Sequence, residues 1–135
     1  KLGMDHDQSS EKIAVAGYLG GCAIGMSFVG MVHPFSAALS SVLGAHHCHA
    51  NCLALEALSD FYPRYFENYQ YFKDFNNVEI PELNTTGVDD HTVENLFTSM
   101  IVHEKPLSNA LGPDFMGALE GELDMRARFA RLIGI

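Results

Sequence analysis

The sequence contains no tryptophan, only 3 cysteines and only 8 lysine and arginine residues among 135. An odd number of cysteines argues against the disulfide framework of a small secreted protein and favours a reducing, cytoplasmic setting. Because 17 acidic residues outnumber the basic ones and the net charge is −9, a nucleic-acid partner held by phosphate contacts is not expected. No basic segment precedes an apolar run at the N-terminus, so we predict no signal peptide.

Formally charged residues are also missing from residues 13–32, IAVAGYLGGCAIGMSFVGMV. A helix of this length can just span a bilayer, and Gly21 and Gly25 have the spacing of a membrane helix contact. However, no tryptophan and no Lys/Arg-rich flank is present to anchor it at a membrane interface. We therefore favour a central helix of a bundle, apolar all round because neighbouring helices cover it. A membrane span is the alternative.

Alternation of apolar and polar residues, the signature of a half-buried strand, is absent. Helix signals are present instead. Pro34 suits the first turn of a helix that ends near Gly44. The next helix is predicted to start near His46 or His47 and to end at Tyr62, because a proline follows.

The second half of the chain has the same helical character. Residues 61–75 hold eight aromatic residues at helical spacing, which predicts a packed stripe, and residues 76–88 predict a loop. Asp89 or Asp90 caps another helix, which ends at residues 105–106. The side chains expected to face inward from the last helix are Phe115, Leu119, Leu123, Met125 and Phe129. Residues 1–135 are thus predicted to form a single all-α domain, a bundle of five to seven helices.

Histidine and cysteine are concentrated in residues 33–52, HPFSAALSSVLGAHHCHANC. Cys48 and Cys52 are one helical turn apart, whereas structural zinc sites use C-x2-C knuckles, so a thiolate zinc site is not favoured. His33 and His47 each stand at a predicted helix start, 14 residues apart, and two neutral imidazoles can face one point from there. A cation at that point meets the positive ends of two helix dipoles, so the site also needs a carboxylate. The alternative is a pair of hydrogen-bonded structural histidines.

A family resemblance depends on these residues. Gly20-Gly21-Cys22-Ala23, the apolar helix that follows, His33 and His47 resemble the C-terminal helical domain of iron-containing (group III) alcohol dehydrogenases, which have a dehydroquinate synthase-like fold. Residues 105–112, KPLSNALG, resemble the tail region of one branch. The segment 33–52 is most similar to the branch that oxidises the terminal hydroxyl of an eight-carbon 3-deoxy sugar acid.

The resemblance implies that the chain is the C-terminal part of a two-domain oxidoreductase. An N-terminal α/β domain would bind NAD or NADP, and the helical domain would hold Fe²⁺ or Zn²⁺ through His33 and His47. The metal would polarise the oxygen of a small alcohol or sugar-acid substrate during hydride transfer. The family's other two ligands are an Asp and a His four residues later. Apolar surface without its partner domain would favour a homo-oligomer.

The chain also departs from the family pattern. It contains no Asp-x3-His and no glycine-rich nucleotide-binding segment, and it begins with Lys1. Many members carry a histidine where this chain has Ala37, and the family's glycine after the last ligand is Cys48 here. We therefore expect a fragment that is inactive alone. The alternative is a non-enzymatic interaction domain or a membrane-associated domain, in which the histidines are structural.

Overall fold

The computed structural model describes residues 6–27 and 29–135, and within these residues it contains eight helices and no β-strand. The fold is therefore all-α, as predicted, although the described part has one helix more than the five to seven expected. In chain order the helices are α1 (His6–Met26), α2 (Val32–Leu43), α3 (His47–Ala57), α4 (Pro63–Phe75), α5 (Asp90–Ile101), α6 (Glu104–Leu111), α7 (Phe115–Glu120) and α8 (Met125–Ile133).

Helix α2 is the centre of the packed core. It packs against α3 and α5, and α5 also packs against α8. Phe35 of α2 and Phe129 of α8 stack with ring centroids 4.1 Å apart and both side chains are fully buried. Burying an apolar side chain of this size contributes about 1.5–3 kcal/mol, so the core holds α2 firmly in place.

Helix α1 lies outside that core, so the expectation of a buried central helix is wrong. Ile13 and Tyr18 are 71% and 72% exposed, and a Cβ added at any of the glycines of α1 would meet nothing within 4 Å. The core is built from α2, α3, α5 and α8, which pack against one another without residues of α1. The helix ends at Met26 and does not continue to residue 32. No helix in the described residues is long and apolar enough to cross a membrane.

The end of α3 and the burial of α4 also differ from the predictions. Helix α3 ends at Ala57, because turns lead from there to Pro63, the first residue of α4. Helix α4 buries none of its residues Pro63–Phe75, and Phe72 is 61% exposed. The predicted packed aromatic stripe is therefore only half-buried and lies at the surface of the domain.

The predicted last helix, with Phe115 to Phe129 on its inward face, is divided into two. The backbone N–H of Gly121 bonds to Gly117 O at 2.9 Å and closes α7. Asp124, with φ of +40°, then begins α8, and its carboxylate accepts the Ala127 N–H at 3.1 Å. This side-chain cap satisfies a free donor at the new helix start and accounts for the additional helix.

The helix that Asp89 caps ends earlier than its predicted end at residues 105–106. Helix α5 ends at Ile101, and α6 begins at Glu104. Pro106 lies in the first turn of α6, where its missing N–H has no helical partner to lose. Asp89 caps α5 as predicted, with its carboxylate accepting the Thr92 N–H at 2.9 Å.

Candidate functional site

Three histidines come together near the N-terminal end of α2. His33 is the second residue of α2, His47 is the first residue of α3, and His103 immediately precedes α6. The His33 ring centroid lies 6.1 Å from that of His47 and 5.5 Å from that of His103. The two histidines singled out in the sequence are therefore close together, and a third imidazole joins them.

The segment that leads to His33 is fixed by Tyr62. The backbone N–H of Met31 donates to Tyr62 Oη at 3.1 Å, and the Met31 side chain is fully buried. A Cβ on Gly30 would lie only 2.6 Å from the same oxygen. Glycine at position 30 therefore lets the hydroxyl approach the backbone two residues before His33.

A tight turn sets the position of His47 relative to α2. Gly44 ends α2 in the left-handed conformation with φ of 68°, and its N–H donates to Ser40 O at 3.1 Å. Glycine adopts this conformation without the steric penalty of a Cβ. His46 is then extended and caps α3, because its Nδ1 accepts the Cys48 N–H at 3.4 Å.

The other two histidines of the 33–52 segment have local partners. His46 is used as the α3 cap. His49 Nε2 lies 2.6 Å from Pro81 O, and since a carbonyl oxygen only accepts, the nitrogen donates. Both rings are thus used in local contacts, which leaves His33 and His47 as the candidate ligands of this segment. Cys48 and Cys52 are free thiols.

The electrostatic environment favours neutral imidazole at His33. Its pKa is lowered from the ordinary value of 6.5, first by burial and then by His103 and His47. The starts of α2, α3 and α6 add the positive ends of their helix dipoles, which also disfavour added positive charge. A neutral imidazole can bind a metal ion through a free ring nitrogen.

His103 was not identified from the sequence. It is far along the chain from His47 and shares no sequence motif with it. It lies near His33 only because α5 packs on α2 and ends beside His33. The sequence offered one clue to His103. It lies two residues before residues 105–112, the segment that resembles the tail region of one branch of the family.

A second polar cluster joins α4 to α3. Glu56 Oε1 accepts from Tyr69 Oη at 3.0 Å and from Lys73 Nζ at 2.9 Å. Burial, followed by the Glu56 carboxylate, raises the pKa of the Tyr69 hydroxyl. Glu56 and Lys73 border an open groove of about 810 Å³ that Glu79 and Glu82 also line. The carboxylate of Glu56 is already paired, so the cluster has a structural role.

A comparison with known protein families finds none that matches the chain. Among the side chains of residues 8–27 and 29–135, no three His, Cys, Asp or Glu residues are already arranged to hold a metal ion. The His33–His47 pair supplies two nitrogen donors, and a closed site requires further ligands.

Proposed function

We propose that this chain is the helical metal-binding part of an NAD(P)-linked alcohol dehydrogenase that resembles the iron-containing family, and that His33 and His47 bind its divalent cation. The observation that carries the proposal is the 6.1 Å separation of these two ring centroids. They are the two positions that match the family's metal histidines.

The donor set suits the proposed metal. Neutral imidazole binds Fe²⁺ and Zn²⁺ well, and the lowered pKa of His33 keeps that ring unprotonated. A bound cation of this kind would act as a Lewis acid on the alcohol oxygen. Fe²⁺ and Zn²⁺ are equally compatible with these two nitrogens.

The charges at the helix ends explain why two histidines alone are not sufficient to bind a divalent cation. Positive partial charge at the starts of α2 and α3 opposes a bare cation but stabilises negative charge placed beside it. A carboxylate ligand from elsewhere, such as the Asp of the Asp-x3-His motif, would offset this field. The same helix ends would stabilise negative charge that develops on a substrate oxygen.

The nucleotide-binding part of the proposed enzyme is assigned to a separate domain. NAD or NADP would bind there, since the 135 residues contain no glycine-rich nucleotide-binding segment. The substrate would be a small alcohol or a sugar acid. We propose a cytoplasmic homo-oligomer, because the exposed apolar side chains of α1 favour association.

Metal titration tests the proposal directly. Isothermal titration calorimetry with Zn²⁺, and with Fe²⁺ under anaerobic conditions, would compare the wild type with the double variant His33→Ala, His47→Ala. The matched control is His46→Asn, His91→Ala, which keeps a side-chain cap on α3 and changes an exposed histidine on α5. We expect the first variant to lose at least about tenfold in affinity and the control to bind like the wild type. Equal affinity in all three would refute the proposal.

A second candidate is a non-enzymatic interaction domain with structural histidines. The exposed apolar residues of α1, among them Leu19 and Ile24 at 60% and 61% exposure, favour this reading. It predicts that metal ions leave the thermal unfolding midpoint unchanged, whereas a metal-binding domain is stabilised.

A further inference from the structure

We infer that His103 binds the same divalent cation as His33 and His47, so that this chain alone supplies three nitrogen ligands. The inference rests on the proposed function, since the first two histidines must bind the ion. The observation behind it is the 5.5 Å separation of the His33 and His103 ring centroids. His103 comes from the α5–α6 junction and not from the segment that holds the other two.

The three histidines differ from His46 and His49 in their hydrogen bonding. In the part of the chain that the structure describes, no side-chain hydrogen bond engages His33, His47 or His103, in contrast to His46 and His49. His33 and His103 are half-buried and His47 is exposed, so an ion can enter from solvent.

Two ring separations, from His33 to His47 and from His33 to His103, are close to those that a shared ion requires. With metal–nitrogen distances of about 2.0–2.1 Å, two imidazoles on one tetrahedral ion have centroids roughly 5–6 Å apart. The observed values of 5.5 and 6.1 Å lie at or just beyond that range. In their present orientations, the side chains of residues 8–27 and 29–135 form no group of three that could hold a metal ion. Binding therefore requires the rings of His47 and His103 to turn about their side-chain bonds.

Edge-to-face packing of aromatic rings gives similar separations, about 4.5–7 Å, so distance alone does not distinguish packing from ligation. The two differ in the state of the ring nitrogens when metal is added. The first test uses the wild-type chain, titrated with Zn²⁺ while the imidazole ¹⁵N signals are followed by NMR. We expect one ring nitrogen of His103 to shift together with those of His33 and His47 at one equivalent of metal. An unmoved His103 signal would overturn the inference.

The second test compares the Zn²⁺ affinities of His33→Ala, His103→Ala and the control His91→Ala. We expect His103→Ala to weaken binding at least about tenfold and His91→Ala to have no effect. If His33→Ala weakens binding and His103→Ala does not, His103 is not a ligand and the proposed function stands. If neither weakens binding, both proposals fail. Circular dichroism establishes that each variant is folded before it is titrated.

Discussion

Arg128 and Asp60 form a two-pronged ion pair in which Nη1 and Nη2 of the guanidinium lie 2.7 and 2.6 Å from the two carboxylate oxygens. The same guanidinium donates to Ala57 O and to Leu123 O, each at 2.8 Å. Arg128 therefore joins the end of α3 to the start of α8. Its side chain is 11% exposed, whereas that of Asp60 is 64% exposed.

This asymmetry predicts unequal effects of removing the two partners. Arg128→Ala should lower the free energy of unfolding by about 2 kcal/mol, because two backbone carbonyls also lose a charged donor. Asp60→Asn should cost less than about 1 kcal/mol, because the carboxylate is largely solvated. Urea unfolding measures both, with exposed Arg131→Ala as the control. Equal losses for the Arg128 and Asp60 variants would show that the carbonyl bonds contribute nothing.

Gly30 and Tyr62 should be energetically coupled. Gly30→Ala places a methyl group 2.6 Å from Tyr62 Oη, and we expect a loss of about 1–3 kcal/mol from the resulting shift. Tyr62→Phe removes the acceptor of the Met31 N–H and should cost about 1–3 kcal/mol. The double variant should cost less than the sum, since the hydroxyl that clashes is gone. Strict additivity in denaturant unfolding would contradict this coupling.

His33 should make stability depend on pH in a defined direction. Its folded-state pKa lies below the ordinary 6.5, so the unfolded chain binds more protons once the pH falls below 6.5. This contribution to stability is therefore complete above pH 6.5 and is lost as the pH falls from 6.5 towards the lowered value. Urea unfolding at several pH values should give a shallower acid-side slope for His33→Gln than for the wild type. A steeper slope for His33→Gln than for the wild type would show that folding does not lower the pKa of His33.

The exposed face of α1 should matter for association and not for folding. Substituting Ile13, Tyr18 and Ile24 by Gln should change the free energy of unfolding by no more than about 0.5 kcal/mol per site. The same changes should reduce the mass seen by analytical ultracentrifugation, because apolar surface drives association. Leu39→Ala in the core serves as a contrast, with an expected loss of about 2–5 kcal/mol. An unchanged mass would show that α1 does not mediate assembly.

Local signals predicted the helices correctly where one segment determines its own boundary. Pro34, Gly44 and Asp89 lie at the first turn or the caps of helices, because caps and breakers act on adjacent backbone groups. The break at Gly121–Asp124 was missed, since it depends on a positive φ at Asp124 that an aspartate only occasionally adopts.

Tertiary features were less predictable. We predicted burial of α1 from its apolar composition. Burial also requires another element to pack on the helix, and the composition of one segment does not show whether such an element exists. The His33–His47 pair was predictable because one turn connects its helices. His103 reaches His33 only through the packing of α5 on α2, which no local pattern encodes.

Tyr62 holds the residue before the first turn of α2 through the Met31 N–H, and the histidine cluster at that turn joins segments that are distant along the chain. An ion held by His33, His47 and His103 would act as a reversible cross-link among the starts of three helices. Such a link would form only in the folded chain, so metal occupancy would appear as added stability, about 2.7 kcal/mol at a free concentration 100 times Kd. The unfolding temperature would then report the metal content of the domain.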